Sequence, residues 1–261
     1  MDKLSFHIYP LGEKSCFCTT TRLGGVSKAP FDTLNLSPRI KDDPEAVREN
    51  IRRVAEYFGV TPEQIYTAKQ VHGTRVLSVQ NAKTNNIEGD AIITQSEDIV
   101  PGVYTADCFP IGLASQNGKL RAIIHAGWRG TMAGVIKAAV KKMLHYGIQV
   151  EELHAVVGPG IGSCCYRVGY MVIDELKRMG LDPRLYTVQR PEGSFLDLRK
   201  IIHRRLLEQG LVERSVEHIV LCTSCSMDMF FSHRRDHGDA GRMLSMVFPF
   251  SSGDNTRSIS L

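Results

Sequence analysis

The sequence predicts a mixed α/β chain, α+β in its wiring, organised around mixed β-sheets. Three observations predict it. Short apolar runs bounded by Gly, Pro, Asn or Asp recur along the chain. Several of these runs follow one another without an intervening helix, which excludes a plain βαβ repeat. A few longer segments carry apolar residues at helical spacing instead. No linker, low-complexity tract or internal repeat divides the 261 residues, so one domain over 1–261 is expected.

The elements follow in order. Residues 4–9 and 15–21 read as strands, the second with Phe17, Thr19 and Thr21 alternating before the break at Gly24-Gly25. A turn-rich loop over 27–43 leads to the first helix, where Asp42 or Asp43 can cap and Pro44 suits the first turn. Val47, Ile51, Val54, Ala55 and Phe58 then form one apolar stripe. Strands are expected at 65–69, 76–79, 91–94, 110–114 and 122–125, and a helix at about 131–146. A strand at 153–157 ends in Gly158-Pro159-Gly160-Ile161-Gly162. Helices near 172–179 and 198–209 and strands at 218–223 and 243–248 complete the chain.

Composition excludes several function classes. Lys and Arg number 32 against 28 Asp and Glu, and the resulting +4 is spread out, so no basic arm for nucleic acid is present. No apolar run approaches the ~20 residues that span a bilayer. The seven cysteines are an odd number, and the opening MDKLSFHIYP lacks a secretory apolar stretch. Reduced thiols and a cytoplasmic setting are therefore expected.

Three segments place a reactive side chain at the end of an apolar strand beside Gly or Pro: Gln70-Val71-His72-Gly73, Thr105-Ala106-Asp107-Cys108-Phe109-Pro110, and Arg121–Ile124 running into His125-Ala126-Gly127-Trp128. His72, Cys108 and His125 are suitable zinc ligands, and three of them leave a fourth tetrahedral position open. Their wide spacing is weak evidence alone, and both histidines and the thiol serve equally well as packed core residues. Cys108 can also act as a thiolate nucleophile, with His125 or His72 as base and Asp107 or Asp90 as orienter. Arg22, Arg129 and Arg234 lie near turns and suit a phosphate, although a solvated surface role fits each of them too. Asn35, between Leu34 and Leu36, can face a pocket or cap a turn. Cys222 and Cys225 form a C-x-x-C without a second ligand pair at finger spacing, and are read as packing and turn residues. Cys164-Cys165, Cys16 and Cys18 are read as packing too.

Taken in order, eight segments resemble the YfiH (laccase-domain) family of purine nucleoside phosphorylases. They are Thr20-Thr21-Arg22-Leu23-Gly24-Gly25-Val26-Ser27, Leu34-Asn35-Leu36, Gln70-Val71-His72-Gly73, Gly89-Asp90-Ala91, Ala106-Asp107-Cys108, His125-Ala126-Gly127-Trp128-Arg129-Gly130, Gly158-Pro159-Gly160-Ile161-Gly162 and Phe230-Phe231-Ser232-His233-Arg234-Arg235-Asp236. The resemblance implies a single-domain layered sandwich related in architecture to a cytotoxic necrotizing factor-type toxin deamidase domain. It implies zinc on His72, Cys108 and His125, with copper as the alternative metal, because some members were first described as copper-dependent polyphenol oxidases. It further implies phosphorolysis of adenosine, inosine and methylthioadenosine, and deamination of adenosine. Purine nucleosides and phosphate are then the partners, with no nucleic acid and no membrane. Arg167 departs from the pattern, since an acidic residue is expected after Cys164-Cys165-Tyr166. Three other readings stand beside this one. A multi-copper oxidase is opposed by the lack of H-x-H pairs, a Cys108-dependent hydrolase or deamidase would survive chelation, and a non-catalytic partner protein leaves the three strand-end ligands unexplained.

Overall fold

The computed structural model describes residues 3–81 and 87–249; residues 1–2, 82–86 and 250–261 of the expected 1–261 domain lie outside the described residues. The chain opens with β1 (Phe6–Pro10) and β2 (Ser15–Thr20), an antiparallel pair. Helix α1 (Pro44–Tyr57) starts where the sequence placed it, with the Asp43 carboxylate accepting the Glu45 N–H. Then come β3 (Ile65–Thr67), β4 (Val76–Ser78), β5 (Ala91–Thr94), β6 (Val100–Thr105), β7 (Phe109–Ser115) and β8 (Arg121–Ala126). Helices α2 (Trp128–Ala133) and α3 (Val135–Leu144) are followed by β9 (Leu153–Val157), β10 (Arg167–Val168), α4 (Tyr170–Arg178) and α5 (Pro183–Tyr186). β11 (Thr187–Arg190), β12 (Gly193–Leu196), α6 (Leu198–Glu208), β13 (Val216–His218) and β14 (Met243–Pro249) close the order.

Two large mixed sheets face each other. One has five strands in the order β1-β2-β14-β6-β3, the other six in the order β13-β9-β7-β8-β5-β4, and β10-β12-β11 form a small third sheet. Strand periodicity shows why the six-stranded sheet is buried on both faces. On β8, Ile123 packs with Phe17, Val103 and Val247 between the sheets, whereas Ala122 and Ile124 pack with Val135, Ile136, Ile201 and Ile202 of the helices. Successive strand residues point to opposite faces, and full burial of each such side chain is worth ~1.5–3 kcal/mol. The outer face of the five-stranded sheet is covered by Leu34, Leu36 and Val54, the last from α1. The layers run α1, five strands, six strands, then α3 and α6. Gly112 sets how closely the sheets approach, since a Cβ there would lie 2.7 Å from the Phe17 ring and 3.1 Å from Val247.

Several element boundaries differ from expectation. The helix expected at 131–146 is two helices, because Gly134 takes φ +98° between them. β6 was not anticipated, since Pro101-Gly102 reads as a turn. Pro101 instead sits opposite Tyr66 in the parallel pairing with β3. The strand expected at 218–223 ends at His218, beyond which Cys222 makes only an isolated bridge to Gly160. Among the described residues no helix is long and apolar enough to cross a membrane.

Candidate functional site

The site forms where the two sheets meet. Gln70 lies just beyond β3 and ties its loop to β6. Its side-chain amide donates to the Tyr104 carbonyl at 2.7 Å and accepts the Tyr104 N–H at 2.9 Å. His72 follows with φ +58°. Between β6 and β7 the chain passes from one sheet to the other at Asp107, which takes φ +90°, and Cys108 comes next. His125 is the fifth residue of β8, on the face that looks towards the other sheet. Three distant strand ends therefore converge.

The ligand atoms of His72, Cys108 and His125 all lie within 4.8 Å of one another. The Cys108 Sγ is 3.8 Å from His72 Nε2, and the two imidazoles meet edge-on at 4.7 Å between centroids. His125 is buried, Cys108 half-buried and His72 exposed, so the triplet is open to solvent on the His72 side. Gly127 keeps that space clear, since a Cβ there would lie 2.8 Å from His72 Cδ2 and 3.0 Å from the Cys108 Sγ. This donor set suits a metal with three protein ligands and one exchangeable position.

Asp90 organises the triplet. It is fully buried. Its Oδ1 accepts from His125 Nδ1 at 2.8 Å and from the His72 N–H at 2.9 Å, and its Oδ2 accepts the Gly73 N–H at 2.7 Å. Burial pushes its pKa up, but the His125 hydrogen bond and the Gly73 and Val71 N–H groups outweigh that and hold the carboxyl low. With Nδ1 engaged, His125 presents Nε2 to the site. Burial also raises the Cys108 thiol, yet His125 and His72 reverse this and bring it down to about 6. His125 rises to about 9 against its own desolvation, through Cys108 and Asp90.

The other expected residues divide. Asp107 does not face the triplet with a free carboxylate, because Oδ1 accepts from Thr223 Oγ1 at 2.6 Å and Oδ2 from the Arg234 N–H at 2.7 Å. It anchors the corner that carries Cys108. Arg129 and Arg234 are exposed and, with Cys108 and Asp107, are the charges that face Tyr166. The Arg234 guanidinium lies over the Tyr166 ring at 5.1 Å. Arg22 is already engaged by the protein. Its guanidinium is committed to the Asp32 carboxylate and carbonyl and to the Met227 carbonyl, and it covers the Phe231 ring. Asn35 is engaged too. It is fully buried, donates to Asp42 and the Ser37 carbonyl, and accepts the N–H groups of Ser37 and Arg242. No polar atom of it remains for a ligand.

Three features escaped the sequence reading. Arg242 lies within electrostatic reach of Cys108 and Asp107, and Tyr166 borders the same charges. Neither stands in a segment with a strand-end signal. Cys164, Cys165, Cys222 and Cys225, read as packing residues, instead bring their sulfurs together in a second cluster. Cys18 is buried and Cys16 half-buried in the core under α1, as expected.

Residues 16–249 match the family described as multi-copper polyphenol oxidoreductase laccase. The hypothetical protein YfiH of Bacillus licheniformis, known from its crystal structure, superposes with a TM-score of 0.85 at 30% identity, covering 91% of this chain and 93% of that one. This chain belongs to the YfiH family. Among YfiH-family relatives, a purine nucleoside phosphorylase of Deinococcus radiodurans is 36% identical over 87% of each chain. Purine nucleoside phosphorylase YfiH of Shigella flexneri is 32% identical over 95% of this chain and 99% of its own. The fold shared with these YfiH proteins is the mixed α/β sandwich described above.

Proposed function

We propose that the chain is a purine nucleoside phosphorylase acting on adenosine, inosine and methylthioadenosine, with zinc on His72, Cys108 and His125 and adenosine deamination as a side activity. The observation that carries this reading is the solvent-open His–Cys–His triplet, oriented by Asp90 and bordered by cations. The names of the relatives, purine nucleoside phosphorylases at 32–36% identity, support it. Zinc is preferred to copper because neither reaction transfers electrons and the donors leave one tetrahedral position open.

Bound there, the metal supplies a Lewis acid to the purine or to water. The chain's own residues do the rest. In phosphorolysis the C1′–N9 bond breaks, phosphate oxygen bonds to C1′, and the departing purine takes a proton. Arg129, Arg234 and Arg242 supply the positive field that holds phosphate at the mouth. Tyr166, its pKa pushed well up by burial, then Cys108 and Asp107, offers a protonated phenol that could donate to phosphate or purine. Asp90 fixes the His125 tautomer, and Asp107 holds the Cys108 corner.

The Cys108–His125 proximity favours one rival, a thiol hydrolase with Cys108 as nucleophile. One experiment separates them: hypoxanthine release from inosine, with and without phosphate, after chelation and in Cys108→Ala. The proposal expects phosphate-dependent release, lost on chelation and restored by zinc, and a variant that has lost both metal and activity. A Cys108→Ala protein that keeps its metal and its phosphorolysis overturns it.

A further inference from the structure

The second cluster lies behind Cys108 and plays no part in the proposed reaction. Cys164 and Cys165 sit in a tight turn, where the N–H groups of Cys165 and Tyr166 both donate to the Gly162 carbonyl. A turn lets adjacent side chains converge, whereas a strand would send them to opposite faces. Cys222 and Cys225 come from the knuckle after β13. The Cys225 Sγ is 3.3 Å from the Cys164 Sγ and 3.4 Å from the Cys165 Sγ. All four sulfurs lie within 4.8 Å of one another. Tetrahedral zinc with Zn–S of about 2.3 Å sets its sulfurs about 3.8 Å apart, which falls within this spread. All four cysteines are free thiols.

We propose that Cys164, Cys165, Cys222 and Cys225 form a closed four-thiolate site for a structural zinc ion, clamping residues 158–167 to residues 219–235 behind Cys108. Soft thiolates select zinc over hard cations, and four protein ligands leave no open position for a substrate. One of the four thiols, Cys222, has donors suited to anionic sulfur, while burial pushes Cys164 up. The Gly162 N–H donates to the Cys222 Sγ at 3.2 Å. Together with the N–H groups of Cys225 and Ser224, it lowers the pKa of that thiol against the upward push of burial.

Charge balance points the same way. Four thiolates around Zn²⁺ carry a net −2; of the three guanidiniums near the cluster, Arg199 faces the sulfurs, whereas Arg235 is already paired with Asp236. Arg190 Nη1 donates to the Cys164 carbonyl at 2.9 Å, and Arg235 Nη1 to the Thr223 carbonyl at 3.1 Å. Arg199 donates to the Leu221 carbonyl at 3.1 Å, while its Nε is buried without an acceptor among the described residues. The anionic groups facing Arg199 are Asp197 and the Cys222 and Cys164 thiols.

The clamp bears directly on Cys108. Thr223, inside the knuckle, donates to Asp107 Oδ1, and the Ile161 N–H donates to the Asp107 carbonyl at 2.9 Å. Loss of the ion would loosen both supports of the corner. This inference does not rest on the identity of the nucleoside reaction.

Metal counting tests it. The full chain, reconstituted with zinc under reducing conditions and freed of excess, is expected to hold two equivalents. Cys222→Ser/Cys225→Ser is expected to hold one, and His72→Ala/Cys108→Ala also one. Cobalt in the latter variant should give the strong thiolate-to-cobalt charge-transfer absorption of an all-sulfur tetrahedral site. Zinc loading should also shield its Cys164, Cys165, Cys222 and Cys225 thiols from alkylation. If the knuckle variant fails to fold, the cobalt spectrum and thiol protection of His72→Ala/Cys108→Ala decide alone. A metal-free His72→Ala/Cys108→Ala protein, or four thiols still reactive after loading, overturns the inference.

Discussion

The Asp90 carboxylate accepts from His125 Nδ1 at 2.8 Å, and the same oxygen accepts the His72 backbone N–H at 2.9 Å. One buried side chain thereby fixes the ring of one ligand and the backbone of another. Asp90→Asn keeps the size but removes the charge, and one amide end becomes a donor facing donors. Metal affinity, measured by competition with a chromophoric chelator, is expected to fall 10–100-fold. An unchanged affinity would show that the carboxylate is dispensable.

Gly127→Ala should be more severe for the metal than for the fold. The added methyl meets the His72 ring and the Cys108 sulfur. Overpacking of this kind costs ~1–3 kcal/mol, visible as a lower urea midpoint. The distinguishing readout is metal content, which should drop in a chain that still folds.

Asn35→Ala separates a structural pin from a substrate ligand. It strips partners from Asp42, Ser37 and the Arg242 N–H. Each stranded buried group costs ~1–3 kcal/mol, so a loss of ~2–4 kcal/mol in stability is expected. The KM for phosphate should stay within twofold, whereas Arg234→Ala should raise it by tenfold or more. The opposite pattern would return Asn35 to the substrate.

Acid sensitivity should arise away from the metal. Burial, then the neighbouring His203 and Arg199, lower His218 from 6.5 to about 4, with Glu213 and Asp197 opposing. Between those pH values the unfolded chain binds the proton that the folded chain refuses. This contribution is therefore complete above pH 6.5, declines as pH falls towards 4 and then levels. Urea midpoints at pH 7 and pH 5 should differ less in His218→Asn than in the unmodified chain. An equal difference in both would place the acid sensitivity elsewhere.

How much of this was legible in the sequence depended on how local the signal was. His72, Cys108 and His125 were legible as candidates because each stands beside Gly or Pro near an apolar run, although His72 lies in the loop beyond β3 rather than at a strand end. Asp90 was legible only as a candidate orienter, since nothing in one dimension shows which backbone amides surround it. β6 hid behind Pro101-Gly102, where the sheet tolerates a proline that local rules assign to a turn. The four-cysteine cluster was missed because its halves lie about sixty residues apart, with adjacent cysteines in one and, in the other, a C-x-x-C that has no second pair at finger spacing. Arg22 and Asn35 show how little residue type alone decides, because the side chains that bind ligands also pin loops.

The proposed ligands His72 and His125 belong to a loop and a strand of opposite sheets, and Cys108 lies on the corner between them. Metal affinity is consequently a gauge of how the two halves of the sandwich are seated. A wedge placed far from any ligand, such as Gly112→Ala against Phe17 and Val247, would spread the halves and weaken the grip on the ion. Distant core positions thus acquire a say in metal loading without ever touching it.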